Sequence, residues 1–124
     1  MATEERRRIL LLEDSEEMRA LLTRHLTKAG YEVLAAEDAV EAGKLLLEGL
    51  PDLIIADIQL PYMTGDEFVK ALRGDPSVRE IPVIFLSVDE RLEQHAKRLG
   101  AVAYFDKSVT TEHLLEVVDF YTRG

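Results

Sequence analysis

The sequence contains no cysteine and no tryptophan among its 124 residues, and its apolar runs are short. The absence of cysteine excludes a disulfide framework, a thiol nucleophile and a metal site built from thiolates. The apolar runs are much shorter than a membrane-spanning helix requires. The first residues, 1–5, are polar and acidic, and they do not resemble a signal peptide. We therefore expect a cytoplasmic protein that makes no contact with a membrane.

Positive charge is also scarce. The chain has 24 acidic and 15 basic residues, which gives a formal net charge of −9 at pH 7. A surface of this charge repels nucleic acids and anionic lipids, so neither is expected as a partner. The length and the hydrophobic fraction of 47% suit one domain with one core, and we expect a single domain over residues 1–124.

Short apolar strands alternate with amphipathic helices along the whole chain. The predicted strands are 9–12, 31–35, 53–56, 81–86 and 102–105, and the predicted helices begin near Ser15, Asp38, Thr64, Asp89 and Thr111. Strands that are apolar throughout are typical of a parallel sheet covered on both faces. The pattern therefore predicts an α/β fold with five parallel strands and five helices.

Charged or hydroxyl side chains follow four of the five predicted strands. Glu13 and Asp14 follow the first strand, Asp57 the third, Ser87 the fourth and Lys107 the fifth. Each alone has an ordinary explanation as a cap or a solvated residue. In a parallel sheet, however, all strand ends of this kind lie at one edge, where open α/β folds bind ligands. Three carboxylates and a lysine in one crevice indicate a site for a divalent cation and a phosphoryl group.

The order and spacing of these residues resemble the response-regulator receiver domains of two-component signalling. The resemblance extends from about Arg7 to Tyr121. It rests on Leu12-Glu13-Asp14, on Asp57 with Pro61 and Gly65, on Ser87, and on Gly100-Ala101 with Tyr104 and Lys107. It implies a flavodoxin-like three-layer sandwich with the strand order 2-1-3-4-5.

The resemblance also implies the chemistry. Asp57 corresponds to the phosphoacceptor of the family, which takes its phosphoryl group from a partner histidine kinase or phosphotransfer protein. Mg²⁺ is the implied cation, with Asp14, Asp57 and the backbone carbonyl of Gln59 as ligands. Glu13 is expected to act mainly through water. The family is a class of signalling switches rather than enzymes, beyond the phosphotransfer and hydrolysis that its members catalyse on themselves.

Further residues correspond to the switch of the family. Lys107 and Ser87 are expected to bind the phosphoryl oxygens, and Tyr104 is expected to turn inward when Ser87 moves toward the phosphate. A strand tyrosine with a solvated hydroxyl is an equally good interpretation of Tyr104 alone. Gln59 and Asp89 occupy the two positions that flank the water molecule in hydrolysis.

Two surfaces follow as expectations. Leu22, Leu26 and Ala29 are predicted to face the core from the first helix, with Met18 and Leu21 at the margin where a kinase would dock. Core packing is the stronger interpretation for Leu21, and the two are balanced for Met18.

The output surface is expected on the fourth helix, fifth strand and fifth helix, because the fourth helix has a thin apolar face. Its predicted exposed patch comprises Arg91, His95, Arg98, His113 and Phe120.

Two departures from the family pattern keep alternatives open. Val88 stands where a small residue is usual and could narrow access to Asp57, and Ser108 replaces a proline, so a trans peptide bond is expected before it. The first alternative is a degenerate receiver that binds a partner without phosphorylation. The second, a small phosphatase with an aspartate nucleophile, needs an acid at position 59, where this chain has Gln59. A stand-alone protein is slightly favoured over a piece of a longer regulator.

Overall fold

Strands and helices alternate five times in the computed structural model, which describes residues 6–123. The elements are β1 (Arg8–Leu12), α1 (Glu16–Lys28), β2 (Glu32–Ala36), α2 (Ala39–Glu48), β3 (Leu53–Ala56), α3 (Gly65–Arg73), β4 (Val83–Ser87), α4 (Leu92–Leu99), β5 (Ala103–Asp106) and α5 (Thr111–Thr122). None of the helices in this part of the chain is long and apolar enough to cross a membrane.

The five strands form one parallel sheet in the order β2-β1-β3-β4-β5, which confirms the predicted fold. Successive residues of a strand point to opposite faces, so each buried strand contributes to two hydrophobic clusters. On one face, Leu10 and Leu12 of β1 pack with the buried residues of α2, α3 and α4. On the other face, Ile9 and Leu11 pack with those of α1 and α5. The sheet is therefore the middle layer of three.

Three of the predicted helix starts have the expected caps. Ser15 Oγ accepts a hydrogen bond from Met18 N, and Asp38 Oδ1 accepts one from Glu41 N. Thr64 and Glu67 form a reciprocal capping box at the start of α3. These side chains satisfy backbone N–H groups that a helix leaves free in its first turn.

The start of α4 was predicted too early. The helix begins at Leu92 rather than near Asp89, because the Asp89 side chain accepts a hydrogen bond from Arg91 N at 2.7 Å and stabilises a turn instead. Arg91, the N-cap, makes no capping hydrogen bond through its side chain within residues 6–123. Only Leu92 and Ala96 of α4 are buried, and α2 likewise buries only two residues, both alanines. α4 therefore buries few side chains, as predicted, but α2 buries equally few.

The face of α1 that contacts the core also differs from the prediction. Leu22 and Leu26 are buried as expected, but Ala29 is exposed. Met18 is half-buried against the cluster that contains Leu22, whereas Leu21 is 38% exposed. The stronger interpretation for Leu21, core packing, was therefore wrong. The rotation of α1 about its axis thus turns Leu22 and Leu26 to the core, as predicted, and leaves Leu21 as its large apolar residue that faces solvent.

Truncating Leu26 and Leu21 separately tests this assignment of the α1 faces. Leu26→Ala removes a side chain that is 1% exposed, and we expect it to lower the free energy of unfolding by about 2–5 kcal/mol. Leu21→Ala is the matched control on the same helix and should cost less than about 1 kcal/mol. Urea unfolding of both variants measures the difference. Equal losses would contradict the rotation of α1 described above.

Candidate functional site

The register of the sheet brings four strand ends to one edge. Leu12 of β1 is aligned with Ala56 of β3, so Glu13 and Asp57 are the next residues on neighbouring strands. Ser87 is the last residue of β4 and is aligned with Asp106, directly before Lys107. Backbone hydrogen bonds extend the pairing by one residue, from Asp57 N to Leu12 O at 3.0 Å. The fold therefore places two acids, a hydroxyl and an amine within reach of one another.

Asp57 is 4% exposed, and both of its carboxylate oxygens have partners. Ser87 Oγ donates a hydrogen bond to Oδ1 at 2.7 Å, and the backbone N–H of Gln59 donates to the same oxygen at 3.1 Å. Lys107 Nζ lies 2.6 Å from Oδ2. These donors compensate for the water that the carboxylate loses when it is buried.

Lys107 joins two acids. Its Nζ also lies 2.8 Å from Glu13 Oε1, and Glu13 Oε2 accepts a hydrogen bond from Ser15 N. Burial raises the pKa of the Glu13 carboxyl, and Lys107 and Ser15 N only partly offset this effect. Burial opposes the charge of Lys107, but hydrogen bonds to Asp57 and Glu13 outweigh it and raise the pKa of Lys107. The amine is therefore the counter-charge for both acids.

Asp14 completes an acidic cluster. One carboxylate oxygen from each of Glu13, Asp14 and Asp57 lies within 4.8 Å of the others, and Asp14 is exposed whereas the other two are buried. Oxygen ligands of this kind suit a hard divalent cation such as Mg²⁺, which keeps several water molecules. A cation is also favourable here because one lysine faces three carboxylates. The donor set therefore fits Mg²⁺.

A tight turn after β3 packs against the backbone of Asp57. Gly65 N donates to Ile58 O at 2.8 Å, and a Cβ atom on Gly65 would lie 1.9 Å from the backbone oxygen of Asp57. Only glycine allows α3 to begin this close to the backbone of Asp57. Within the same loop, Tyr62 has φ of +71° and is 89% exposed, a backbone conformation that non-glycine residues rarely adopt.

Comparison with known proteins identifies the family. A model described as the response regulator receiver domain matches residues 9–119. The chain belongs to this family. Receiver domains of this kind are signalling modules that interact with histidine kinases or phosphotransfer proteins, and the family typically binds Mg²⁺ at an acidic pocket.

Individual relatives agree with this assignment. The polar-differentiation response regulator DivK of Brucella anthropi is 33% identical over 119 residues, covering 91% of this chain and 94% of that protein. The chemotaxis protein CheV3 of Helicobacter pylori is 35% identical over 126 residues, but this receiver spans only 40% of its length. The solved structure of the chemotaxis response regulator CheY4 of Vibrio cholerae has a TM-score of 0.85 at 33% identity, covering 94% of this chain and 99% of that one.

The side chains of the remaining predicted residues lie around the acidic cluster rather than in it, although the backbone N–H of Gln59 contacts Asp57. Gln59 and Val88 are exposed in the loops after β3 and β4, and Val88 is 59% exposed. Asp89 is half-buried, with its side chain bound to Arg91 N. The peptide bond before Ser108 is trans, as expected. A groove of about 530 Å³ runs beside the site between the β3–α3 loop and α4. A larger groove along α1, of about 630 Å³, contains none of the predicted site residues.

Tyr104 lies on β5 with its side chain directed outward, 38% exposed. Lys97 is the main cause of the lowered pKa of Glu93 on α4, and Tyr104 makes the smallest contribution to it. The aligned residue on β4 is Phe85, two positions before Ser87. Tyr104 therefore lies on the edge strand, next to the strand that carries Ser87.

The predicted exposed patch on α4 was partly wrong. The side chain of His95 is only 12% exposed and binds Asp66 on α3, because that carboxylate lies across the groove from it. Arg98 also binds Asp66, but its side chain is 59% exposed. Asp66 is not among the residues predicted from the sequence. An acid in the first turn of a helix is already explained by the helix dipole, so it gave no separate signal. Arg91, His113 and Phe120 remain exposed.

Replacing Gly65 tests how closely α3 depends on the backbone of Asp57. Gly65→Ala should lower the free energy of unfolding by about 1–3 kcal/mol, because the new methyl group must displace backbone atoms rather than a flexible side chain. Gly43→Ala on α2 is the matched control. Its Cβ would meet no atom within 4 Å, so stability should be unchanged or rise by up to about 1 kcal/mol. Equal effects of the two substitutions on urea unfolding would contradict the described turn.

Proposed function

We propose that this receiver is a phosphorylation-dependent signalling switch that acts as a single domain. It accepts a phosphoryl group on Asp57 from the phosphohistidine of a partner kinase or phosphotransfer protein, with Mg²⁺, and then changes the surface formed by α4, β5 and α5. One observation carries the proposal: a buried carboxylate held by a hydroxyl and an amine, with two further acids beside it. The downstream partner is a protein that reads this surface.

In the proposed transfer, an oxygen of Asp57 forms a bond to phosphorus while the phosphorus–nitrogen bond of the donor breaks. The departing imidazole keeps the electron pair and takes up a proton. Catalysis of this kind depends on positioning and on charge stabilisation more than on a strong base. Glu13, Asp14 and Asp57, with the backbone carbonyl of Gln59, would hold Mg²⁺. The ion supplies positive charge for the phosphoryl oxygens.

Lys107 and Ser87 would exchange one partner for another. Both now bind the Asp57 carboxylate, Lys107 at Oδ2 and Ser87 at Oδ1. When that carboxylate becomes an acyl phosphate, it loses its charge and one of its oxygens becomes the bridge to phosphorus, while the phosphoryl group supplies new acceptor oxygens nearby. Contacts that exist only with the phosphoryl group stabilise one conformation over another, which is the requirement for a switch.

The change would reach the output surface through Ser87 and Tyr104. Movement of Ser87 at the end of β4 would open space beside β5 and allow Tyr104 to turn inward. That rotation would remove its hydroxyl from the neighbourhood of Glu93 on α4. The surface of α4, β5 and α5 then differs between the two states, and Phe120, which is 65% exposed, lies on its α5 part.

Gln59 and Asp89 would flank the water molecule that hydrolyses the acyl phosphate. Gln59 is exposed, whereas the Asp89 carboxylate is already bound to Arg91 N. We therefore infer that Gln59 has the greater freedom to orient water.

The phosphoacceptor assignment is tested with a small phosphodonor such as acetyl phosphate in the presence of Mg²⁺. We expect the intact mass of the wild-type receiver to increase by one phosphoryl group and that of Asp57→Asn to stay constant, because the amide cannot form an acyl phosphate. Asp106→Asn, which removes an exposed carboxylate at the end of β5, is the matched control and should be phosphorylated normally. Phosphorylation of Asp57→Asn, or none of the wild type, would refute the assignment. The second result would favour the phosphorylation-independent alternative.

Docking of the kinase is tested on α1. Leu21 is the large apolar residue of this helix that is exposed, whereas Met18 is half-buried. We expect Leu21→Glu to slow phosphotransfer from the phosphorylated kinase at least about tenfold, the loss expected for a buried contact of an interface. Its phosphorylation by acetyl phosphate should be unchanged. Leu47→Glu on α2, at a residue that is 89% exposed, is the control for the added charge. Slowing with both donors would argue against docking at Leu21.

A further inference from the structure

A cluster of charged side chains joins α3 to α4 beside the site. Asp66 Oδ1 on α3 lies 2.7 Å from His95 Nδ1 and 2.6 Å from Arg98 Nη2, both on α4. Asp66 and His95 are mostly buried, with side chains 20% and 12% exposed. We call these three residues the α3–α4 clamp. Among the described residues, none of their hydrogen bonds reaches Asp57, so the phosphoryl chemistry does not account for them.

The clamp is a large part of what holds α4. The helix buries only Leu92 and Ala96, and its N-cap residue makes no side-chain hydrogen bond within residues 6–123. Next to Arg98, the backbone oxygen of Leu99 accepts a hydrogen bond from Arg73 of α3. Polar contacts from α3 therefore hold the second half of α4, while Leu92 and Ala96 supply apolar contacts in its first turn and middle.

Asp66 is tied to the phosphoacceptor through the backbone. It directly follows Gly65, whose position against the backbone oxygen of Asp57 leaves no space for a Cβ atom. The N–H of Gly65 is also bound to Ile58 O. A displacement of Asp57 or of the loop after it is thus transmitted to the start of α3, and so to the carboxylate that holds α4. This connection is separate from the one through Ser87 and Tyr104.

The clamp also contains an unsatisfied group. His95 Nε2 is buried and has no hydrogen-bond partner in the part of the chain that the structure describes. A buried polar atom without a partner is unfavourable, and exposure to water would relieve it. Hydrogen bonds from His95 and Arg98 outweigh the effect of burial and lower the pKa of Asp66, so its carboxylate is charged. The contacts of Asp66 with His95 and Arg98 therefore favour the packing of α4 against α3. The buried Nε2 atom of His95, which has no partner among the described residues, opposes that packing.

We propose that the α3–α4 clamp holds α4 in its resting position and thereby sets how readily the receiver switches. The proposal rests on the proposed function for the link to phosphorylation, since a movable α4 is part of that function. Its physical content is a coupling between two equilibria. Weakening the clamp should increase the population of the unmodified protein in which α4 has left its resting position. A ligand that favours that conformation should then bind more tightly by a similar factor.

Asp66→Asn is the primary variant, because the amide retains the shape but loses the charge. Arg98→Gln removes the partner on α4 without altering the first turn of α3, so it separates the clamp from the helix dipole of α3. Glu80→Gln is the matched control, since Glu80 is 93% exposed and its only described ion pair is at 4.0 Å. Circular dichroism first establishes that each variant is folded.

The measurement is amide hydrogen exchange over residues 92–99, without ligand and with beryllium fluoride and Mg²⁺ as a mimic of the acyl phosphate. Without the mimic, Asp66→Asn and Arg98→Gln should each exchange about two- to fivefold faster than the wild type, with Glu80→Gln unchanged. The double variant Asp66→Asn/Arg98→Gln should exchange at nearly the same rate as the single variants, because both substitutions remove the contact between Asp66 and Arg98. Each clamp variant should also bind the mimic more tightly by a similar factor.

Unchanged exchange over residues 92–99 in both clamp variants would overturn the proposal. Faster exchange with no gain in affinity for the mimic would also overturn it, because the clamp would then support α4 without governing the switch. Failure of the proposed function looks different. In that case the mimic either does not bind the wild type or leaves residues 92–99 and Tyr104 unchanged, whatever the clamp variants do in its absence.

Discussion

The ion pairs of Lys107 are the contacts on which the rest of the site depends. One amine lies within 2.8 Å of two buried carboxylates that come from different strands, Glu13 and Asp57. Without that amine, two acids with almost no contact with solvent would repel each other at the edge of the sheet. With that amine present, the two carboxylates still carry one more negative charge than Lys107 neutralises, and Asp14 adds a further negative charge. The site therefore favours added positive charge, which suits the divalent cation of the proposed function.

We propose that the same site is connected to α4 along two routes of different character. One route passes along the sheet, from Ser87 at the end of β4 to Tyr104 on β5. The other passes through the turn after β3, where Gly65 packs against Asp57 and leads to Asp66 and the α3–α4 clamp. The first route depends on whether there is space for the Tyr104 side chain to turn inward. The second depends on the charge of the Asp66 carboxylate. A helix with little apolar contact can respond to both, since neither route has to overcome a large hydrophobic interface.

The sequence was sufficient for the fold and for the residues at the strand ends, because both depend on local patterns. Apolar runs that end in Asp57 or Lys107 define the strands and the edge at the same time. What it could not give were relations between distant elements. The pairing of Asp66 with His95 and Arg98 spans 29 and 32 residues and exists only once α3 and α4 are adjacent. The rotation of α1 was also ambiguous, since Met18 and Leu21 both fit a helical apolar stripe. The predicted start of α4 was wrong because the side chain of Asp89 stabilises a turn before the helix instead of capping the helix.

The central claim is that Lys107 compensates for two buried acids, and the stability of Lys107→Met tests it most directly. Urea unfolding should be measured without divalent cations and again with Mg²⁺, alongside Lys70→Met as a control at an exposed lysine of α3. The account predicts that Lys107→Met loses about 3–5 kcal/mol without Mg²⁺, because both acids lose their partner, and that Mg²⁺ restores more stability to it than to the wild type. If Lys107→Met is as stable as Lys70→Met in the absence of Mg²⁺, the charge balance described for this site is incorrect.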